Sequence, residues 1–515
     1  MVICTYAGAQ VSGIIMRSLG LPSLLGQLLF GLFLSLFLSS PLPLSLTSPL
    51  KSLSLTVLLI RAGISINISN LLPEFYLTLG LSFLPFVIEA GVVAGFSWFL
   101  LNEASAFMIG ALISDVSPAV TTPIFLSMLP PPSSPLHPPL KRFTSVLLAS
   151  SNLNSVVSIH CFYIAFEVTF HTGSALVRGI IGVAESIIGP VMGMVAGWGI
   201  TKLGGERGGI VSGSLMGMSA TFLVAGMEFK LSGAGALAAL FTAISVFNPL
   251  PWRSLPTPLP SNVTKIPLST SFSSTWGQPA SVHRSDSPPP PSIPSLNTEV
   301  SLIYRKLWEN VFEALLFGLL GAEIDFTKID QRTVLVGTAI IACGLVFRFG
   351  ATYLCCRSIG GYCYKRSLFV ATCWMPKATV QAALCTIALD FVRSDAWWKL
   401  ESKGHPHYSE TEMNAYRVKW EGRATDVLNV GVLSIILTAP ICAYIIPKLV
   451  RPLVEEPLLL KLKETETVRQ RNSFGTQGQA QVNTSIDGSQ TWVETPTKSS
   501  GMSYDMEEIK RVKSV

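Results

Sequence analysis

The chain has 515 residues, of which 49% are hydrophobic and only 13% are charged, about half the charged fraction of an ordinary soluble domain. This composition excludes a soluble globular protein, a coiled coil and a disordered chain. The net charge of +6 gathers in loops and in a polar tail, as membrane orientation requires and nucleic-acid binding does not. We therefore expect a polytopic membrane protein with the lipid bilayer, and no nucleic acid, as its partner.

Apolar blocks of about 20 residues, the length that crosses a bilayer core of about 30 Å, follow one another along the chain. With that window the sequence predicts an all-α membrane protein of about thirteen transmembrane helices. These spans are placed near residues 2–19, 23–40, 52–72, 75–101, 104–128, 143–168, 175–201, 208–227, 231–249, 307–324, 333–354, 367–391 and 424–447.

Polar segments divide the chain into a transmembrane domain, residues 1–455, and a tail, residues 456–515, that is predicted to be cytoplasmic and disordered. Within the domain, residues 130–140 and 250–298 are rich in Pro and Ser, which is typical of extended, solvated chain. Lys and Arg in the short loops favour a cytoplasmic C-terminus and an external N-terminus. On this topology Lys51 lies in a loop on the non-cytoplasmic side. The membrane is the plasma membrane or that of an organelle.

Ionisable side chains within transmembrane helices are costly and mark ion pathways, proton relays or ion pairs. Four of them fall in the middle of predicted spans: Glu89, Asp115, Arg348 and Lys377. Glu89 and Arg348 have opposite charges and are expected to pair from separate helices, in a structural or a functional role. Asp390 falls at a span end, where the simpler interpretation is a side chain that reaches the headgroups.

Two prolines lie inside predicted spans, Pro118 in SDVSPAVTTP and Pro376 in WMPKATVQAAL. Each lacks a backbone N–H and is expected to unwind its helix locally. A pair of interrupted helices indicates the ion site of a secondary transporter, where helix ends and free carbonyls face the ion. The alternative interpretation is a simple kink. The ionisable residues close to both prolines, Asp115 and Lys377, favour the transporter.

Three stretches resemble the animal NHA-type (9B-like) sodium/hydrogen exchangers of the monovalent cation:proton antiporter superfamily. They are VSPAV at 116–120, WMPKATVQAAL at 374–384 and DVLNVGVLSIILTAP at 426–440. LGLPSLLGQLLFG at 19–31, LLIRAGISI at 58–66 and LLFGLLGAEIDF at 315–326 support the match. The resemblance covers residues 5 to about 447, apart from the Pro/Ser-rich segments.

The resemblance implies a homodimer with a core of inverted repeats, in which the broken helices that hold Pro118 and Pro376 cross. It implies exchange of Na⁺ or Li⁺ for H⁺ by alternating access, with no cofactor and no enzyme activity. Glu89 and Arg348 match an intramembrane ion pair, and Lys377 matches the basic residue beside the ion site. Such proteins have about fourteen spans with both termini in the cytoplasm. Thirteen predicted spans and an external N-terminus therefore fit a chain that lacks the usual first helix.

The chain departs from this family at its paired aspartates, because Asn154 and Ser155 stand in their place. Their oxygens can bind Na⁺ but do not titrate near pH 7, and Lys377 would lose its counter-charge. Asp115 stands where the family usually has a small residue, and it restores one carboxylate if the crossing brings it to Asn154. The candidate ion-binding residues are Asn154, Ser155, Asp115, Lys377 and Ser117.

Other interpretations stay open on sequence alone. A transport-impaired paralogue that regulates or dimerises with a partner fits the loss of both aspartates. The Pro/Ser-rich segments resemble translated non-coding sequence, and an incomplete gene model would explain the missing first helix. Sequencing the transcript tests whether the chain is partly such an artefact. A channel is disfavoured, because no filter-like loop is present. An enzyme is disfavoured most, because the chain has no P-loop, HExxH or GxSxG motif.

Overall fold

A computed structural model describes most of the chain, with short gaps and two long ones. The described residues are 2–37, 43–66, 74–101, 103–131, 133–170, 175–204, 207–248, 296–324, 331–404, 407 and 409–460. The predictions of an extended segment at 250–298 and of a disordered tail therefore fall almost wholly outside them.

The described residues form helices connected by short turns, which confirms the all-α prediction. In chain order the helices are α1 (Val2–Ser18), α2 (Ser23–Ser35), α3 (Leu44–Ser65), α4 (Phe75–Leu100), α5 (Ala106–Ile113), α6 (Pro118–Ser127), α7 (His137–Phe170), α8 (Ala175–Gly204), α9 (Gly208–Glu228), α10 (Ser232–Phe247), α11 (Leu296–Leu307), α12 (Glu313–Ala322), α13 (Gln331–Ser358), α14 (Tyr364–Cys373), α15 (Thr379–Leu384), α16 (Ile387–Arg393), α17 (Asp395–Gly404) and α18 (Glu410–Val450). A π-helical turn follows α11, and another follows α18.

Seven helical stretches of the described chain are long and apolar enough to cross a membrane. Two more apolar helices, α2 and α10, are shorter. Nine of the predicted spans fall on these nine helical stretches. The other four, near residues 2–19, 52–72, 307–324 and 367–391, fall on other α-helices, and the number thirteen stays a prediction. Two predicted spans, 104–128 and 367–391, contain interruptions: the first is split into α5 and α6, and the second into α14, α15 and α16.

Several helix ends differ from the predicted boundaries. Helix α3 begins at Leu44 and runs through Pro49, so Lys51 lies inside a helix and the prediction of a loop there was wrong. Helix α7 begins at His137, inside the predicted 130–140 segment. Its next two residues are prolines, which the first turn tolerates because its N–H groups have no helical partner. The helix that begins at Glu410 continues as far as residue 460, beyond the predicted end of the domain.

Small residues bring some helices into backbone contact. Gly189, Gly193 and Gly197 recur every fourth residue on α8 and face α10. A Cβ atom at Gly193 would lie 2.4 Å from the carbonyl oxygen of Ala238. Because lipid tails are as apolar as side chains, such close van der Waals packing is a main source of helix association in a membrane.

The two interrupted helices cross at their unwound segments. Residues 115–117 form a non-helical segment between α5 and α6, and residues 375–378 form a second one between α14 and α15. The backbone N–H of Ser117 donates a hydrogen bond of 2.9 Å to the carbonyl of Pro376. Proline at each break removes a helical donor, and the freed backbone groups are satisfied by neighbouring protein, as buried non-helical chain in a membrane requires.

Candidate functional site

Two basic side chains beside the crossing share one carboxylate. Arg348 Nη1 and Lys377 Nζ both donate to Glu89 Oε2, the latter at 2.8 Å. All three residues are 0% exposed. A buried charge is stable only when it is paired. Lys377 therefore has a counter-charge after all, and the expectation that it lacks one without the family's aspartates was wrong.

Arg348 also ties the two broken helices together. Its Nε donates to the carbonyl of Trp374, and its Nη1 donates to the carbonyl of Ser114 at 2.6 Å. Ser114 and Trp374 are the C-terminal caps of α5 and α14, the first halves of the broken helices. Helix C-termini leave carbonyls unpaired and carry partial negative charge. A guanidinium placed between two of them stabilises both breaks.

Asn154 fixes the first non-helical segment. Its Oδ1 accepts hydrogen bonds from the Val116 N–H at 2.9 Å and from Arg348 Nη2 at 3.1 Å. Its Nδ2 donates to the carbonyl of Ser82 at 3.0 Å. Because both lone pairs of the amide oxygen are occupied, Asn154 as placed positions the chain beside Asp115 and does not offer an oxygen to an ion.

Asp115 is the other carboxylate at the crossing, and it is 0% exposed. Neither of its oxygens accepts a well-formed hydrogen bond from the described part of the chain. The hydroxyl of Ser155 and the charges of Lys377, Arg348 and Glu89 act on it. With Asp115 ionised, the two acids and two bases of this group balance. Asp115 thus supplies a carboxylate whose oxygens are free to take a proton or a cation.

Hydroxyl groups lie around the same crossing. Ser155 Oγ is 3.2 Å from the carbonyl of Val116, and Ser117 Oγ is 3.4 Å from Thr379 Oγ1. The backbone N–H of Lys377 donates to Thr438 Oγ1 at 2.8 Å, which fixes the second non-helical segment. The structure therefore brings all the sequence-predicted site residues to one place.

Gln381 is a site residue that the sequence reasoning missed. It is 0% exposed, and its Nε2 donates to the carbonyls of Leu112, at 3.0 Å, and Asp115, at 3.4 Å. Its Oε1 has no hydrogen-bond partner among the described residues. The search for ionisable groups passed over this neutral amide, although it lies in the WMPKATVQAAL stretch. Its free oxygen adds a neutral acceptor beside Asp115, of the kind that hard cations prefer.

Comparison with known proteins agrees with this geometry. The family described as sodium/hydrogen exchanger, transmembrane, matches residues 293–447, which include α13 and the second broken helix. Sodium/hydrogen exchanger 9B2 of Homo sapiens is 27% identical over 464 residues, covering 86% of this chain and 72% of that protein. Sodium/hydrogen exchanger 9B1 of Homo sapiens is 27% identical over 434 residues, covering 82% and 70%. The chain is similar to sodium/hydrogen exchangers over most of its length.

The fold of this chain is also found in solved structures. The sodium proton antiporter MjNhaP1 from Methanocaldococcus jannaschii at pH 8 superposes with a TM-score of 0.56 at 15% identity, covering 87% of this chain and 97% of the antiporter. An electron-microscopy map of the same antiporter gives 0.61. Together with the seven helical stretches of the described chain that are long and apolar enough to cross a membrane, the likeness to the sodium/hydrogen exchangers supports an integral, multi-pass membrane protein.

Proposed function

We propose that this chain exchanges Na⁺ or Li⁺ for H⁺ across its membrane and that the two ions compete for Asp115. The observation that carries the proposal is the Asp115 carboxylate, which is fully buried at the crossing and accepts no well-formed hydrogen bond from the described residues. The curated relatives are named as sodium/hydrogen exchangers, and the fold is that of a sodium proton antiporter.

Competition at Asp115 follows from elementary electrostatics. A buried carboxylate is stable when it is neutralised by a proton or by a bound cation, and one group hardly holds both. Glu89 is not suited to this part, because Arg348 and Lys377 already neutralise its charge through Oε2. Ser155 and Gln381 supply neutral oxygens for the dehydrated cation. Asn154 holds the segment, and Ser117 lies at the crossing itself.

The site must face each side of the membrane in turn for exchange to occur. The resemblance to the antiporters supports movement of the core that carries both broken helices, within a homodimer. The two non-helical segments at the crossing suit alternating access, because a change in orientation there needs no break in a regular helix.

The direct test is cation-driven proton movement in liposomes that contain the purified chain and a pH-sensitive dye. Addition of Na⁺ or Li⁺ outside is expected to raise the internal pH, whereas choline is expected to leave it unchanged. A parent chain without exchange would contradict the proposal. If only an Asn154→Asp/Ser155→Asp variant then exchanged ions, the alternative of a transport-impaired paralogue would replace it.

Exchange is expected to be electroneutral, with one cation moved for each proton. A cation on Asp115 and a proton on Asp115 leave the buried group with the same charge, while Lys377 stays bonded to Glu89. Imposing a membrane potential with K⁺ and valinomycin is therefore expected to leave the rate unchanged. A rate that follows the potential would contradict a single titrating carboxylate and would implicate Lys377 as a second proton carrier.

A further inference from the structure

A second buried charge cluster lies away from the crossing, and Lys51 is at its centre. Lys51 Nζ donates to Asp390 Oδ2 at 2.6 Å, to Glu323 Oε2 at 2.9 Å and to Thr386 Oγ1 at 3.2 Å. Its side chain is 4% exposed, and the side chains of both acids are 12% exposed. From its place at a span end, Asp390 was expected to reach the headgroups, but it pairs with Lys51 inside the protein. An ammonium group has three N–H donors, and all three are used here.

The cluster borders a cavity of about 220 Å³. Lys51, Thr386 and Asp390 line it together with Tyr163 and Glu167. Tyr163 and Glu167 belong to α7, the helix of Ser155, and Thr386 and Asp390 follow the second broken helix. Tyr163 is eight residues beyond Ser155, or about 12 Å along the helix. The cavity thus lies along the two elements that carry the ion site, towards one end of them.

Negative charge exceeds positive charge around this cavity. Lys51 is the single basic residue among its described lining residues, against the acids Asp390 and Glu167. Glu323 also pairs with Lys51, so this one base faces two paired acids as well as Glu167. Asp390 Oδ1 is buried and has no hydrogen-bond partner in the described chain. A cleft with an excess of one sign of charge concentrates ions of the opposite sign.

We propose that Asp390, Glu323 and Thr386 form a second site for a monovalent alkali cation, which Lys51 occupies as a tethered cation, and that the adjoining cavity is a vestibule from which cations reach Asp115. The vestibule role rests on the proposed exchange, whereas the site itself does not. Two carboxylates and a hydroxyl form an oxygen set suited to a hard cation.

Lys51 has a physical purpose in this arrangement. Conduction along a pathway requires that an ion is attracted strongly enough to enter and held weakly enough to leave. Two unpaired carboxylates beside the cavity would trap a cation there. An ammonium fixed to the chain neutralises most of this attraction, so an arriving cation is drawn in and passes on to the crossing.

Cation binding in an Asp115→Asn background tests the site without the crossing. Thermal unfolding of the purified variants is measured in Na⁺, Li⁺ or choline, since a bound ligand raises stability with its concentration. Asp115→Asn alone is expected to show no Na⁺-dependent rise in Tm. Adding Lys51→Met is expected to create such a rise. Lys51→Arg and the exposed Lys419→Met are expected not to.

Repulsion between the freed acids can unfold the Lys51→Met protein in choline. Lys51→Met/Asp390→Asn guards against that outcome, because it folds without the repulsion. It retains the Glu323 carboxylate and the Thr386 hydroxyl, and it is expected to show a smaller Na⁺-dependent rise in Tm than Lys51→Met. A Lys51→Met protein that folds with no Na⁺- or Li⁺-dependent rise in Tm would overturn the second site.

Transport by Lys51→Met with Asp115 intact tests the vestibule. Trapping of the cation predicts that KM for Na⁺ and kcat both fall, each by about tenfold, which corresponds to about 1.4 kcal/mol. A purely structural role of Lys51 lowers kcat and leaves KM unchanged, and that result would overturn the vestibule. If the parent chain shows no exchange while Lys51→Met gains Na⁺ binding, the proposed function fails and the second site stands.

Discussion

Asp115→Asn is expected to abolish cation/proton exchange, with a rate at least about 100-fold below that of the parent chain. An amide holds no titratable proton and no charge for the cation. Loss of a charged-group interaction of about 3 kcal/mol alone corresponds to roughly 100-fold in affinity. The measurement is the Na⁺- and Li⁺-driven change of internal pH in proteoliposomes, corrected for the amount of folded protein.

Asp395→Asn is the matched control, since it makes the same chemical change at an exposed residue at the start of α17. It is expected to leave the rate unchanged. Asp115→Glu keeps the titrating group and is expected to retain part of the activity. Exchange by Asp115→Asn at the parent's rate would mean that another group carries the proton.

Glu89→Gln is expected to destabilise the folded protein by about 3–5 kcal/mol, the usual cost of removing one partner from a buried ion pair. The loss is expected at the upper end, because Arg348 and Lys377 both lose the same carboxylate. Thermal unfolding in detergent measures the effect. Glu103→Gln, at an exposed turn, is the control and is expected to leave Tm unchanged.

A double variant distinguishes charge from packing in this effect. Glu89→Gln/Lys377→Met removes the acid together with one of its two bases, so less uncompensated charge stays buried. The double variant is expected to be more stable than Glu89→Gln alone, which gives a coupling energy between the two residues. Additive losses in the two single variants would contradict the shared carboxylate.

The main features of the fold could be predicted because they leave strong local signals. Proline in an apolar block marks a break, as Pro118 and Pro376 do. A charged residue within such a block is rare enough to stand out, so Glu89, Arg348 and Lys377 were found from sequence. Their mutual arrangement depends on how separate helices cross, which no spacing along the chain records, and the sharing of Glu89 was therefore missed.

Lys51 and Gln381 show a second limit of the sequence reasoning. The apolar window placed the start of the third span at residue 52, because the residues before it are more polar. Inside a polytopic protein, however, polar side chains are buried against one another, and Lys51 lies among Glu323, Thr386 and Asp390. Gln381 has no charge, and it is identified only by its contact with the first broken helix, where its Nε2 donates to the carbonyl of Leu112 in α5.

Proton release on cation binding tests the central claim, competition at Asp115, most directly. Purified protein in weak buffer is titrated with NaCl or LiCl near pH 7, with choline chloride as the reference, because a cation that displaces a bound proton acidifies the solution. The account predicts release of protons by the parent, up to about one per chain, and none by Asp115→Asn. No release by the parent, or equal release by both proteins, would contradict it.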